Sequence, residues 1–163
     1  MSIGVAQFST THRLPPAVPL NFTAINPLYA TDFCHINAKD KAISKGKRVH
    51  GWALWEYYGP PYHSPVVVGN FHSVWEDESG NLVEVTPPKI GTKTLFVRDD
   101  YLNITKTAGA HSMPQNRTYH PSNPYMDALT GAPVGPDSLF VKPDDATTTA
   151  YCHDLGWTHD DWS

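Results

Sequence analysis

The chain has 163 residues and a formal charge of −4, with 12 Lys and Arg against 16 Asp and Glu. That is the size of one domain, and apart from Lys45-Gly46-Lys47-Arg48 it offers no basic footprint for a nucleic-acid backbone. Hydrophobic residues at 40% and aromatics at 12% suffice for a core, while 15 Pro and 11 Gly exclude long helices over most of the length. No stretch approaches the roughly 18 apolar residues that a membrane span needs, and the N-terminus lacks a basic segment followed by an apolar run. A soluble, cytoplasmic protein with neither nucleic-acid nor membrane partners is expected. Two cysteines, Cys34 and Cys152, are too few for a disulfide framework and favour a reducing compartment, with a single bridge between them left open.

Residues 1–30 carry Pro15, Pro16, Pro19 and Pro27 among apolar residues, which suits an extended arm laid over the domain. From Thr31 the character changes: Thr31 or Asp32 can cap a helix running through Cys34, Ile36, Ala38, Ala42 and Ile43, with Gly46 to end it. Cys34 then lies in the first turn, where free amide N–H groups and the positive end of the helix dipole favour a thiolate. Residues 50–57 read as an aromatic strand, closed by Gly59-Pro60-Pro61. Residues 66–76 alternate, with Val66, Val68, Asn70, His72 and Val74 on one face and Val67, Phe71 and Trp75 on the other.

Asp77-Glu78-Ser79-Gly80-Asn81 is a polar turn of hairpin type, residues 82–86 form the returning strand before Pro87-Pro88, and residues 93–98 form a further strand. Residues 106–150 are rich in Pro, Gly, Ser, Thr and Asn and read as ordered loops or a cover, and the tail from Tyr151, with Trp157 and Trp162, docks on the body. The expected organisation is a single α+β domain over 1–163: an extended arm (1–30), a catalytic core in which one helix packs on an antiparallel sheet (31–100), and a loop-rich, Pro/Gly-rich cover and tail (101–163).

A thiol, an imidazole and a carboxylate follow one another on these elements as Cys34, His72 and Glu84. Together they are the parts of a nucleophilic cysteine site. A thiol attacks a carbonyl only as thiolate, which near neutral pH calls for a helix N-terminus or a neighbouring imidazolium. The imidazole in turn needs a partner on its far nitrogen to fix its tautomer, and a carboxylate on the adjacent antiparallel strand suits that. About the turn near Gly80, His72 and Glu84 are not directly opposite, so a shifted register or a bulge is expected to bring them together. The Cys34 backbone N–H is the first candidate oxyanion donor, with Asn26, Asn37 or Trp52 as the second.

Cys34 opening a helix, Gly46-Lys47-Arg48-Val49-His50-Gly51 leading into the sheet, Phe71-His72-Ser73-Val74-Trp75, and Gly80-Asn81-Leu82-Val83-Glu84-Val85-Thr86-Pro87 occur in that order over residues 34–87. This order resembles the core of the transglutaminase-like, papain-related cysteine enzymes. The resemblance implies Cys34 as nucleophile, His72 as general base and acid, and Glu84 as the orienting acid. It also implies a papain-like scaffold, a protein or peptide substrate and no cofactor. Two departures stand out: the family's acid is Asp where this chain has Glu84, and Thr86-Pro87 inverts the family's Pro-Thr.

Taken singly, Cys34 reads as a small buried hydrophobe, His72 as a core histidine and Glu84 as a solvent-facing strand residue. Their joint order points to cleavage or transfer at an amide carbonyl through a thioester: peptide or isopeptide hydrolysis, side-chain deamidation, or acyl transfer to an amine. His35 and Asn37 read as helix surface within reach of substrate, Arg48 as a structural donor that can pair with Glu56, and Trp52, Trp55 and Trp75 as core. Two other readings compete. One is a non-catalytic binding module on the same scaffold, with Tyr119 and Tyr125 on its interaction surface. The other is a metal site drawn from His111, His120, Cys152, His153, Asp154, His159 and Asp160, whose spacing matches no common zinc pattern.

Overall fold

In a computed structural model, which describes residues 1–59, 62–120, 135 and 138–163, the elements run α1 (Ile3–Thr11), β1 (Val18–Asn21), α2 (Cys34–Ser44), β2 (Lys47–Gly59), β3 (Tyr62–Glu76), β4 (Leu82–Val83), β5 (Lys93–Arg98), β6 (Thr105–Thr107), β7 (Ala110–Pro114), β8 (Arg117–Tyr119), β9 (Leu139–Pro143) and α3 (Ala146–Asp154). The architecture is mixed α+β. One sheet has the order β1-β5-β2-β3-β4, with β8 also on β3, and a second has the order β6-β7-β9. Every strand pair in both is antiparallel.

The long β2/β3 pair is the frame, and its alternation sorts side chains to two sides as expected. Trp52 lies opposite Phe71, and both join the cluster that holds Val5, Phe8 and Ile36 from the helices. Val49 lies opposite Val74, and these pack with Leu20 and Phe96. Burial on both sides leaves little polar surface along the second half of β3, so the His72 imidazole has to find a partner inside the protein.

Helix α2 passes into β2 through Lys45 and Gly46. Gly46 sits at φ +70°, and a Cβ there would fall 2.2 Å from the Glu76 carbonyl oxygen. Only glycine fits so close to the end of β3 in that conformation.

Two expectations are corrected. The arm over residues 1–30 begins as a helix, because the prolines start only at position 15 and Ser2 supplies an N-cap whose Oγ accepts from the Val5 amide at 3.1 Å. The Phe8 ring of α1 is fully buried over Gly69 of β3, where a Cβ would lie 2.6 Å from the ring. The second correction concerns residues 106–150, where β6 to β9 and α3 replace much of the expected loop. These strands have three to five residues each, too short to show an alternation against a Pro- and Thr-rich background. Asp145 caps α3 by accepting from the Thr148 amide at 2.8 Å. Pro60, Pro61 and Tyr125 lie outside the described residues.

The tail docks on α2 and β2. Trp157 Nε1 donates to Asp40 at 2.7 Å, Lys39 Nζ donates to the carbonyls of Asp161 and Ser163, and Arg48 donates to that of Trp162. No helix among the described residues is long and apolar enough to cross a membrane.

Because Phe8 is enclosed, Phe8→Ala is expected to cost about 3–5 kcal/mol in urea unfolding, and a loss below about 1 kcal/mol would mean that α1 is not part of the core.

Candidate active site

Cys34 is the first residue of α2, and Ile36, Asn37 and Ala38 form the rest of the buried face of its first turn. The expected caps are not used: the N-cap is Phe33, without a side-chain acceptor, while Asp32 turns away at φ +73° and pairs with Lys89 at 2.8 Å. The first intrahelical bond runs from the Asn37 amide to the Phe33 carbonyl. The amides ahead of it have no intrahelical acceptor, and the dipole there favours negative charge on the sulfur.

His72 sits on β3 between two short partners on the same strand edge. β8 pairs with Val67–Gly69 and β4 with Trp75 and Glu76. Extending the β4 register past Trp75↔Val83 places Glu84 opposite Val74, two residues from His72 and on its side of the strand. No bulge is needed. A diagonal contact suffices, and the extra methylene that distinguishes Glu from Asp spans it. His72 Nε2 and Glu84 Oε2 are 2.7 Å apart, with side-chain exposures of 16% and 1%. The second carboxylate oxygen accepts from the Thr86 amide at 3.0 Å. Glu84 is therefore a fully buried acid with both oxygens satisfied, whereas taken singly it read as a solvent-facing residue.

With Nε2 held by Glu84, the His72 ring has Nδ1 left for the Cys34 sulfur, which lies in hydrogen-bonding reach of both His72 and His35. Burial alone would raise the Cys34 pKa, but the positive potential and hydrogen bonds of the two imidazoles outweigh it, and the thiol falls well below its ordinary range. For His72, burial disfavours the charged ring, yet the thiolate and then Glu84 overcome that and raise its pKa. Both shifts favour a thiolate–imidazolium pair.

His35 is the residue whose role the sequence did not disclose. Its Nδ1 lies 2.6 Å from Ser73 Oγ, and the same hydroxyl lies 2.8 Å from His50 Nδ1. Burial, then Arg48, then His35 lower the His50 pKa to about 3, so that ring is neutral. The available signal was the pairing of β2 with β3, which sets His50 directly opposite Ser73. Burial lowers the Arg48 pKa to about 10, which leaves it charged at neutral pH, and its Nη1 donates to the carbonyls of His35 and Trp162. It is a structural donor, and these carbonyls rather than Glu56 are the partners seen for it.

Two of the side chains considered as second oxyanion donors have their N–H groups engaged, and the third, Asn26, does not line the cleft. Asn37 Nδ2 donates to the Ala30 carbonyl and Thr86 Oγ1, both at 3.0 Å; Trp52 Nε1 donates to Asp99 at 3.0 Å; Asn26 Oδ1 accepts from the Leu28 amide. Trp52 and Trp75 are core, whereas Trp55 is half-buried and lines the cleft.

The residues considered for a metal are dispersed. Cys152 is buried in the main core, His111 stacks on Trp162 at 3.9 Å and faces Asp144 at 3.2 Å, and His153 and His159 are exposed. Among the described residues no three His, Cys, Asp or Glu gather as a metal-holding group. Cys34 and Cys152 are both free thiols.

Cys34, His35 and His72 open onto a cleft of about 950 Å³ that also reaches Trp55, Ile90 and Phe140. That volume is at the upper end for a site that buries a small ligand or a peptide side chain. Comparison of the chain with family models, with curated proteins and with solved structures finds no match.

The depressed Cys34 pKa predicts that its alkylation by iodoacetamide holds a plateau as pH falls from about 9 through neutrality, where a free thiol near 8.5 would lose rate. Cys152, whose thiol is pushed upward first by burial and then by Asp160, should lack that plateau. Rates followed by mass spectrometry check this, and parallel profiles for the two thiols would contradict it.

Proposed function

We propose that the protein is a cysteine-dependent hydrolase or acyltransferase that acts on an amide bond of a protein or peptide through a thioester. The observation that carries this reading is the meeting of a helix-first cysteine with an imidazole whose far nitrogen is held by a buried carboxylate at 2.7 Å. The same residues, in the same order, underlie the resemblance to the transglutaminase-like, papain-related enzymes, and the papain-like scaffold is part of this proposal.

In the proposed reaction the Cys34 thiolate attacks the carbonyl carbon, a C–S bond forms and the C=O π pair moves onto oxygen. The Cys34 amide at the start of α2 faces that charge. The oxyanion collapses, the C–N bond breaks, and imidazolium His72 gives its proton to the departing nitrogen. A neutral His72 then removes a proton from water or an amine, which attacks the thioester and releases Cys34 as thiolate. Glu84 keeps the ring in one tautomer and stabilises its charged form, without itself taking the proton. The entrant in the second half decides between hydrolysis, deamidation and transfer.

Chloroacetamidine, an electrophilic amide mimic, is expected to give one covalent adduct by intact mass, mapped to Cys34 and absent in Cys34→Ala. His72→Ala should slow its formation by about 100-fold or more. Equal, sluggish labelling of Cys34 and Cys152 would instead favour a non-catalytic binding module.

A further inference from the structure

We infer that His35 is a second catalytic imidazole, donating an N–H to the sulfur in the resting site and to the oxyanion once a carbonyl is attacked. This deepens the proposed function and rests on it. The sequence leaves one oxyanion donor unassigned; of the side chains considered for it, Asn37 donates to Ala30 and Thr86, Trp52 donates to Asp99, and Asn26 does not line the cleft. His35 follows Cys34 on α2, lines the same cleft and lies in hydrogen-bonding reach of the sulfur.

Its ring is fixed on several sides. Nδ1 is held by Ser73 at 2.6 Å, the Phe71 ring lies 4.4 Å away, and Trp162 stacks at 6.0 Å with the planes 8° apart. The backbone carbonyl of His35 is held by Arg48 at 3.2 Å. The nitrogen left for the reacting atoms is Nε2.

The protonation of that nitrogen follows from hydrogen-bond accounting. The Ser73 hydroxyl has one proton and two lone pairs and stands between two imidazole nitrogens, so it donates to at most one of them and accepts from any it does not donate to. If it donates to His35, then His35 is a neutral ring with its proton on Nε2. If it does not donate to His35, then His35 carries a proton on Nδ1, and bonding to a thiolate, which can only accept, requires a second on Nε2. In either polarity a thiolate at Cys34 is met by an N–H of His35. When the thiolate adds to a carbonyl, its negative charge passes to the oxygen one bond from the carbon it attacks, and the same N–H can follow it with no net proton transfer. His72 keeps the proton that the leaving nitrogen needs.

Two reactions of Cys34 separate this role from packing. Alkylation by iodoacetamide displaces iodide and develops no oxyanion, whereas acetylation by p-nitrophenyl acetate does. Both rates are measured across pH on the full chain and compared at each variant's thiolate plateau, so that a shifted thiol pKa drops out. His35→Phe keeps the ring against Phe71 and Trp162 but has no N–H; His35→Gln keeps a side-chain donor. Thermal melting confirms that each variant is folded, and a variant that does not fold is replaced by Ser73→Ala, which frees the ring.

The expected result is that His35→Phe loses about 100-fold or more in acetylation with little change in plateau alkylation, and that His35→Gln recovers a large part of the loss. Equal losses in both reactions, or no loss in acetylation, would overturn the inference while leaving Cys34 as nucleophile. A wild-type protein that is alkylated but never acetylated at Cys34 would overturn the proposed function and this inference with it.

Discussion

A carboxylate with no exposed surface is the constraint around which the site is arranged. Glu84 is out of water, and an unpaired buried ion costs several kcal/mol. Its two oxygens are therefore divided between the His72 ring and the Thr86 amide. The backbone at Glu84 is fixed as well, bridged to Phe22 and accepting from the Thr23 amide at 2.9 Å. With the acid immobile from both ends, the imidazole bonded to it has one orientation, and its remaining nitrogen is aimed at the start of α2. The N-terminal segment thus helps organise the site, where the sequence alone suggested only a covering.

The Cys34 helix is tied to the same region from two directions. Thr86 donates its amide N–H to Glu84, and its hydroxyl oxygen accepts from Asn37, one turn along α2 from Cys34, so Glu84 and the Cys34 helix share a single bridging residue. On the other flank, Ser73 beside His72 meets His35 beside Cys34. Tyr151 of α3 extends the first tie by donating to Asn37 at 2.6 Å, and the tail closes over the second through Trp162 and Arg48. Three short reaches of side chain join helix, strand and return segment, and shifting any one of these elements would break bonds on both sides of the sulfur. Pre-organisation of that kind is what a reaction with a short-lived oxyanion needs.

The legibility of the chain tracks the period and length of its signals. Residues 50–57 read as a strand from their aromatics and the break that follows, residues 66–76 from their alternation and residues 93–98 as a further strand after Gly91, and all three are strands. Helix α2 was readable from its apolar spacing and Gly46, though its cap was not, because Phe33 has no side-chain acceptor to betray it. Helix α1 was hidden by prolines that begin only after it ends. The three residues of the proposed site were legible as types in order. The diagonal contact that joins His72 to Glu84 depends on the register of β4 against β3, which no local pattern states. Ser73 and His50 were invisible for a related reason: each is ordinary on its own strand, and only cross-strand register makes them neighbours.

Charge accounting explains why a site with three imidazoles and a guanidinium so close together tolerates burial. In the thiolate form, the negative charges of Cys34 and Glu84 are offset by the His72 imidazolium and the Arg48 guanidinium, whichever charge His35 bears. His50 is driven neutral by burial and by Arg48, so Ser73 and His50 can orient His35 without adding a formal charge to a region that has little solvent to screen it. A cationic His50 would tip the balance positive and compete for the electrons on Ser73. The His35 ring contributes to both low pKa values: with His72 it stabilises an anion at sulfur, and after burial and Arg48 it helps to keep a proton off His50.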